Sequence, residues 1–126
     1  MTVTIRVAIP TKGPGGLRGE VDEVFSRAPV FTIVDLNDGG PRNVTVIENA
    51  AASFSHGAGP VSVKILSDNH VELLLAPEIG VGTSTLLEEL GIRYVKVEKG
   101  AKVSKLLREM KKGSKSKRQS LITEAK

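Results

Sequence analysis

Residues 71–76 read Val-Glu-Leu-Leu-Leu-Ala, apolar at every position but Glu72. A run so short, with no polar face, suits a β-strand buried on both sides, and such strands sit in sheets covered by helices above and below. The core has to be aliphatic, because the chain has no Trp, one Tyr and three Phe. The same scarcity argues against base stacking on an aromatic platform.

Around that run, periodicity places the other elements. Val3, Ile5, Val7 and Ile9 alternate with Thr4, Arg6 and Ala8, the period of a strand, which Pro10 closes. A short helical turn is expected over 20–26. Strands 30–36 and 42–48 pair antiparallel across Asn37-Asp38-Gly39-Gly40, residues that supply the positive φ a hairpin needs. Pro60 sits in the first turn of a helix reaching about residue 68, where it has no N–H bond to lose. Thr83 or Ser84 caps a second helix that buries Leu86, Leu87 and Leu90 and ends at Gly91. Residues 92–97 form the last strand, and Val103, Leu106, Leu107 and Met110 stripe a third helix.

The order β-β-β-α-β-α-β-α predicts an α/β fold with a five-stranded mixed sheet and helices packed on it in three layers. A meander of three strands is followed by two strands that enter through right-handed crossovers beside the first. The 126 residues fit one domain, expected over 1–110, followed by a basic, flexible tail over 111–126. Charge supports that division. Residues 1–110 carry twelve Lys and Arg against thirteen Asp and Glu, whereas 111–126 carry six basic residues and one acid. The net charge of +4 is therefore a property of the terminus, more in keeping with a solvated segment than with a nucleic-acid arm.

Several functions are set aside by residue type. Without cysteine there is no disulfide, no thiolate nucleophile and no iron–sulfur or zinc site held by thiolates of this chain. The opening MTVTIRVAIP has no basic region followed by an apolar one, and no stretch has the length of a membrane span, so the chain reads as cytoplasmic. No GxSxG context surrounds Ser53, Ser55 and His56, and no acid stands on the first strand, where a ribonuclease H-like nuclease would hold its metals. The chain is therefore expected not to be an enzyme.

Topology points to a site. If strands one, three and four run the same way, the segments 10–29, 49–59 and 77–83 leave the sheet at one edge, where α/β folds place ligands. His56 stands out there as a metal ligand; a loop histidine bonded to backbone is the plain alternative. Gly57 and Gly59 permit close approach to an anion near the Pro60 helix start. The Gly80-Val81-Gly82-Thr83-Ser84-Thr85 turn lacks the GK[ST] ending of a phosphate loop, and Lys12-Gly13-Pro14-Gly15-Gly16 fails the same test. His70, away from this edge, reads as ordinary surface.

The segments VAIPTKGPGGLRGEVDEVFSRAPVFTIVD, VIENAAASFSHGAGP and LLLAPEIGVGTSTLLEELGIRYVKV resemble the dinitrogenase iron–molybdenum cofactor biosynthesis family, over about residues 3–98. The family includes nitrogenase accessory factors, cofactor carriers and a carboxyl-terminal domain of the cofactor-precursor synthase. The resemblance implies a ribonuclease H-like sheet without nuclease activity. It implies transient binding of an iron–sulfur or iron–molybdenum-type cluster at loops on one edge, and a partner among cofactor-assembly proteins or metalloenzymes. Nucleic acid and membrane are not expected partners, and the chain is expected to be a monomer or weak homo-oligomer. By position it implies cofactor contacts at His56, the metal ligand, with Gly57, Gly59, Phe25, Ser26, Arg27, Ile79 and Gly80; in the carrier reading Lys12 joins Arg27 as electrostatic support. Many members carry His-Phe-Gly where this chain has Val24-Phe25-Ser26, so one imidazole is missing. Two other readings remain beside the carrier: an interaction or regulatory module that keeps the fold without the cluster, and a weaker one, nucleic-acid binding through residues 111–118.

Overall fold

The chain is built around β1 (Ile5–Thr11), which pairs antiparallel with β2 (Val30–Asn37) and parallel with β4 (Leu73–Ala76). β3 (Gly40–Glu48) and β5 (Arg93–Lys96) complete a mixed sheet in the order β3-β2-β1-β4-β5. Helices α1 (Ala58–Asp68), α2 (Val81–Glu89) and α3 (Val103–Lys112) follow β3, β4 and β5, and 3-10 turns occupy Phe25–Arg27 and Ala50–Ser53. The computed structural model describes residues 4–112. The α/β class, the five strands and the three helices agree with the expectation from sequence.

Strand alternation sorts the core into two halves. Ile5, Val7, Ile9, Val34, Leu36, Leu73 and Leu75 pack under α3 through Val103, Leu107 and Met110. Ala8, Phe31, Ile33, Leu74 and Ala76 pack under α1 and α2 through Val63, Leu66 and Leu87. All four residues of β4 are buried, as a strand covered on both sides requires.

Several local expectations are corrected. Pro10 does not close β1: it pairs opposite Phe31, and the strand runs to Thr11. Its carbonyl accepts the Asp22 N–H at 2.9 Å, so its polar groups face away from β2 and the missing N–H breaks no bond of that ladder. The helical turn expected over 20–26 is instead a strap: Glu20 bridges to Lys102 and Val21 to Thr11, and only Phe25–Arg27 coils. Val21 is drawn into the core with no exposure, which overrides local propensity.

Neither Thr83 nor Ser84 caps α2. Gly80 does, its carbonyl accepting the Ser84 N–H at 3.0 Å. Leu90 is not a core residue but the C-cap of α2, half exposed. Both α1 and α2 end in the same motif. Val71 N–H reaches Leu66 O at 3.0 Å and His70 N–H reaches Ser67 O at 3.0 Å; the matching pairs after α2 are Ile92 to Leu87 and Gly91 to Glu88. The left-handed residue is Gly91 (φ 74°) in one case and His70 (φ 60°) in the other, so His70 terminates a helix. In the hairpin, positive φ falls on Gly40 (106°), and the Asn37 side chain accepts the Gly39 N–H.

α3 runs to Lys112, so the segment 111–126 opens as helix; the flexible tail expected beyond lies outside the described residues. Among the described residues no helix is long and apolar enough to cross a membrane.

Candidate functional site

β1, β3, β4 and β5 run the same way, so the segments 12–29, 49–57 and 77–80 emerge together at their carboxyl edge, joined by 97–102 after β5. The edge divides between the two sides of the sheet. On the α1 and α2 side, buried Asn49 joins three elements. Its Nδ2 donates to the carbonyls of Ser26 (3.2 Å) and Ala28 (3.0 Å), while Oδ1 accepts from the Ala51 N–H (3.1 Å) and the Ser62 hydroxyl (3.4 Å). Every polar atom of this side chain is therefore engaged in the interior. Phe25 anchors the Phe25–Arg27 turn from beneath, its ring 5.4 Å from that of Phe31 and almost fully buried.

Arg27 projects from that turn to the next segment. Its Nη1 donates to the carbonyls of Ala52 (3.2 Å) and Phe54. These are end carbonyls of the Ala50–Ser53 turn and its cap, groups that a short helix leaves without partners of its own.

His56 follows two residues later. Its imidazole is exposed and makes no hydrogen bond or ion pair among the described residues, so the plain reading of a backbone-bonded loop histidine does not describe it. Gly57 then takes φ 77° and starts α1 without a side-chain cap. A Cβ at Gly59 would stand 3.1 Å from Thr83 Oγ1, so the starts of α1 and α2 touch. Gly80 starts α2, also without a side-chain cap. Two helix N-termini, with first-turn N–H groups and partial positive charge, thus adjoin near His56. Ile79 packs partly buried against the core below. The Tyr94 hydroxyl donates to Pro77 O at 2.8 Å and pins the turn before α2. Burial, and secondly the Glu78 carboxylate, raise the pKa of the Tyr94 phenol above its ordinary value.

Lys12 belongs to the other side. It is exposed, and its N–H bonds Glu20 O at 3.0 Å within the strap that runs to Ala101 and α3. The neighbouring glycines do not cradle a ligand. Gly16 N–H bonds Thr32 Oγ1 at 2.9 Å, and a Cβ at Gly15 (φ 82°) would stand 3.0 Å from Val30. The start of α3 is likewise closed, its Val103 and Ser104 N–H groups bonded to the Gly19 and Leu17 carbonyls at 3.0 Å each. Of the residues picked from sequence, the structure gathers Phe25, Ser26, Arg27, His56, Gly57, Gly59, Ile79 and Gly80 on one side and leaves Lys12 on the other.

Asn49 and Tyr94 were missed in the sequence. An Asn ahead of Ala-Ala-Ala-Ser carries the signature of a helix N-cap and could have been noticed; Tyr94 carries none. Among the described residues no three His, Cys, Asp or Glu side chains come together to hold a metal ion.

Comparison with known proteins agrees with this architecture. The apo form of the orange protein from Desulfovibrio gigas superposes with a TM-score of 0.74 at 30% identity, over 82% of this chain and 84% of that one. A Thermotoga protein described as a candidate NifB protein gives 0.69 at 35% identity, over 86% and 89%. An uncharacterized protein of Methanocaldococcus jannaschii is 31% identical over 72 residues, 57% of this chain; the match spans 61% of that relative's length. The model of the family described as dinitrogenase iron-molybdenum cofactor matches residues 3–113. The chain, matched over all of its described residues, belongs to the dinitrogenase iron–molybdenum cofactor family.

Proposed function

We propose that the protein is a non-enzymatic carrier or accessory factor for a preassembled iron–sulfur or iron–molybdenum-type cofactor or its precursor. The observation that carries this reading is the free His56 imidazole beside two adjoining, uncapped helix starts. One imidazole and no thiolate cannot build a cluster, so the cargo arrives with ligands of its own. His56 offers it a single coordination bond, and the backbone N–H groups at Gly57, Gly59 and Gly80 favour its negative charge. The similar orange protein is described in an apo form, which is in keeping with a separate component taken up by that protein. In strand order we read the sheet as ribonuclease H-like, with no acid on β1 to hold nuclease metals. A cofactor-assembly protein or metalloenzyme would deliver or receive the cargo.

The test is direct. Apo-protein mixed without air with isolated iron–molybdenum cofactor, then desalted, should retain molybdenum and iron, and His56→Ala should bind about tenfold more weakly or worse. Equal retention by the variant, or none by the wild type, would overturn the reading.

A second reading is favoured by Val24, 49% exposed, and by Phe54, 39% exposed. An interaction module would use such apolar rim residues to bind an enzyme partner. A stable complex that survives His56→Ala would support it. Of the basic segment 111–118, only Lys111 and Lys112 fall within the described residues; nucleic-acid binding there predicts a steep salt dependence and its loss on truncation at Lys111.

A further inference from the structure

We infer that Arg27 is a positioning residue for His56 rather than a contact for the cargo. The inference rests on the carrier reading for its binding arm alone. From sequence, a guanidinium beside an anion site reads as a charge aimed at the ligand. The geometry assigns it differently. Nη1 is committed to the carbonyls of Ala52 and Phe54, four and two residues ahead of His56. The Phe25–Arg27 turn that carries it is held from below by buried Phe25 and from the side by Asn49, which takes the Ser26 and Ala28 carbonyls. No carboxylate forms an ion pair with Arg27 among the described residues, so nothing draws the guanidinium off those two carbonyls. A cation at the carbonyl end of the Ala50–Ser53 turn also meets its partial negative charge. Beyond Phe54 only Ser55 separates the clamped backbone from His56, and beyond His56 the chain enters α1 at Gly57. The imidazole is thus presented on a span of two residues, Ser55 and His56, stretched between a clamp and a helix start.

The experiment has two arms. In the first, amide hydrogen exchange is measured on the full chain without any cofactor. Arg27→Ala should speed exchange of the hydrogen-bonded Ala52 and Phe54 amides within 52–57 about tenfold or more, with β1 and β4 unchanged, and Arg27→Lys should be intermediate because one ammonium replaces a planar fork. Unchanged exchange over 52–57 in Arg27→Ala overturns the inference, whether or not the carrier reading survives. If Arg27→Ala unfolds, Arg27→Lys carries the same comparison.

The second arm uses isolated iron–molybdenum cofactor as the probe, in a double-mutant cycle. Arg27→Ala should weaken retention, and Arg27→Ala combined with His56→Ala should be no weaker than His56→Ala alone. Additive losses would mean that Arg27 touches the cargo itself and would overturn the positioning role while leaving the carrier reading standing. Failure of the wild type to retain cofactor would remove the carrier reading, and the exchange arm would still decide the clamp.

Discussion

On the α3 side of the sheet, one helix and the strap anchored by Val21 cover the strands with apolar contacts, leaving a groove of about 180 Å³ between β5 and α3. On the other side two helices share the work, and the loops above them are tied by directional bonds through Asn49, Arg27 and Tyr94. Apolar cover tolerates small displacements because it depends on area removed from water. Hydrogen bonds to named carbonyls do not, since they weaken steeply with distance and angle. The side whose loops are tied through the Asn49, Arg27 and Tyr94 side chains is the one that presents His56, whereas the strap opposite is tied mainly through backbone bonds such as Lys12 to Glu20 and Val21 to Ala101.

The contrast breaks most plainly at the helices. Leu107 is the fully buried anchor of the lone helix, and Leu107→Ala should cost about 3–4 kcal/mol, against about 2–3 kcal/mol for Leu87→Ala on α2, in urea denaturation. Equal losses would show that a second helix confers no redundancy. Next in size, Asn49→Ala should cost about 2–3 kcal/mol, because it strands the Ser26 and Ala28 carbonyls and the Ala51 N–H in the interior. A loss below about 1 kcal/mol would mean that water replaces the knot and that the polar ties are dispensable.

Tyr94→Phe should cost about 1 kcal/mol at neutral pH through the bond to Pro77. It also has a pH signature. The folded-state pKa is raised by burial and then by Glu78, so the unfolded chain ionises first. The contribution is complete below the unfolded value near 10 and is lost as pH rises through the higher folded value. Wild-type stability should fall more steeply than that of Tyr94→Phe above about pH 10; parallel curves would remove this tie from the comparison. The smallest effect lies at the end of α1. His70→Gly should gain about 0.5–1 kcal/mol in thermal unfolding, by relieving a left-handed residue that α2 supplies as Gly91. A loss instead would show that the His70 side chain has a partner role that the backbone geometry conceals.

Much of this was legible beforehand, and the reasons are specific. Leu73, Leu74, Leu75 and Ala76 announced a strand covered on both sides because burial on two faces leaves no polar position, although the strand begins two residues later than the apolar run, Val71 closing the end of α1 instead. The shared edge of the loops followed from strand direction and crossover handedness alone. His56 and the adjoining glycines fell on that edge for the same reason. Pro10 misled because the usual rule forbids it in a strand interior, and only the strap at Asp22 shows that its N–H position faces no ladder partner. Thr83 and Ser84 looked like caps by type, yet α2 begins one turn earlier at Gly80. The carbonyls that Arg27 meets were not legible, because a charge in a loop carries no mark of its partners.

Taken alone, the order of residues determined the class of fold, the strand and helix stripes and the edge where the connecting segments gather. Those depend on period and chirality, which are properties of short stretches and of the direction in which they connect. Only the tertiary structure decided that Lys12 and His56 part to opposite sides of the sheet, that Asn49 is the buried tie, and that Arg27 clamps residues 52 and 54. Such pairings join groups more than twenty residues apart, and a hydrogen bond is selective for the position and direction of its partner, which no local pattern encodes.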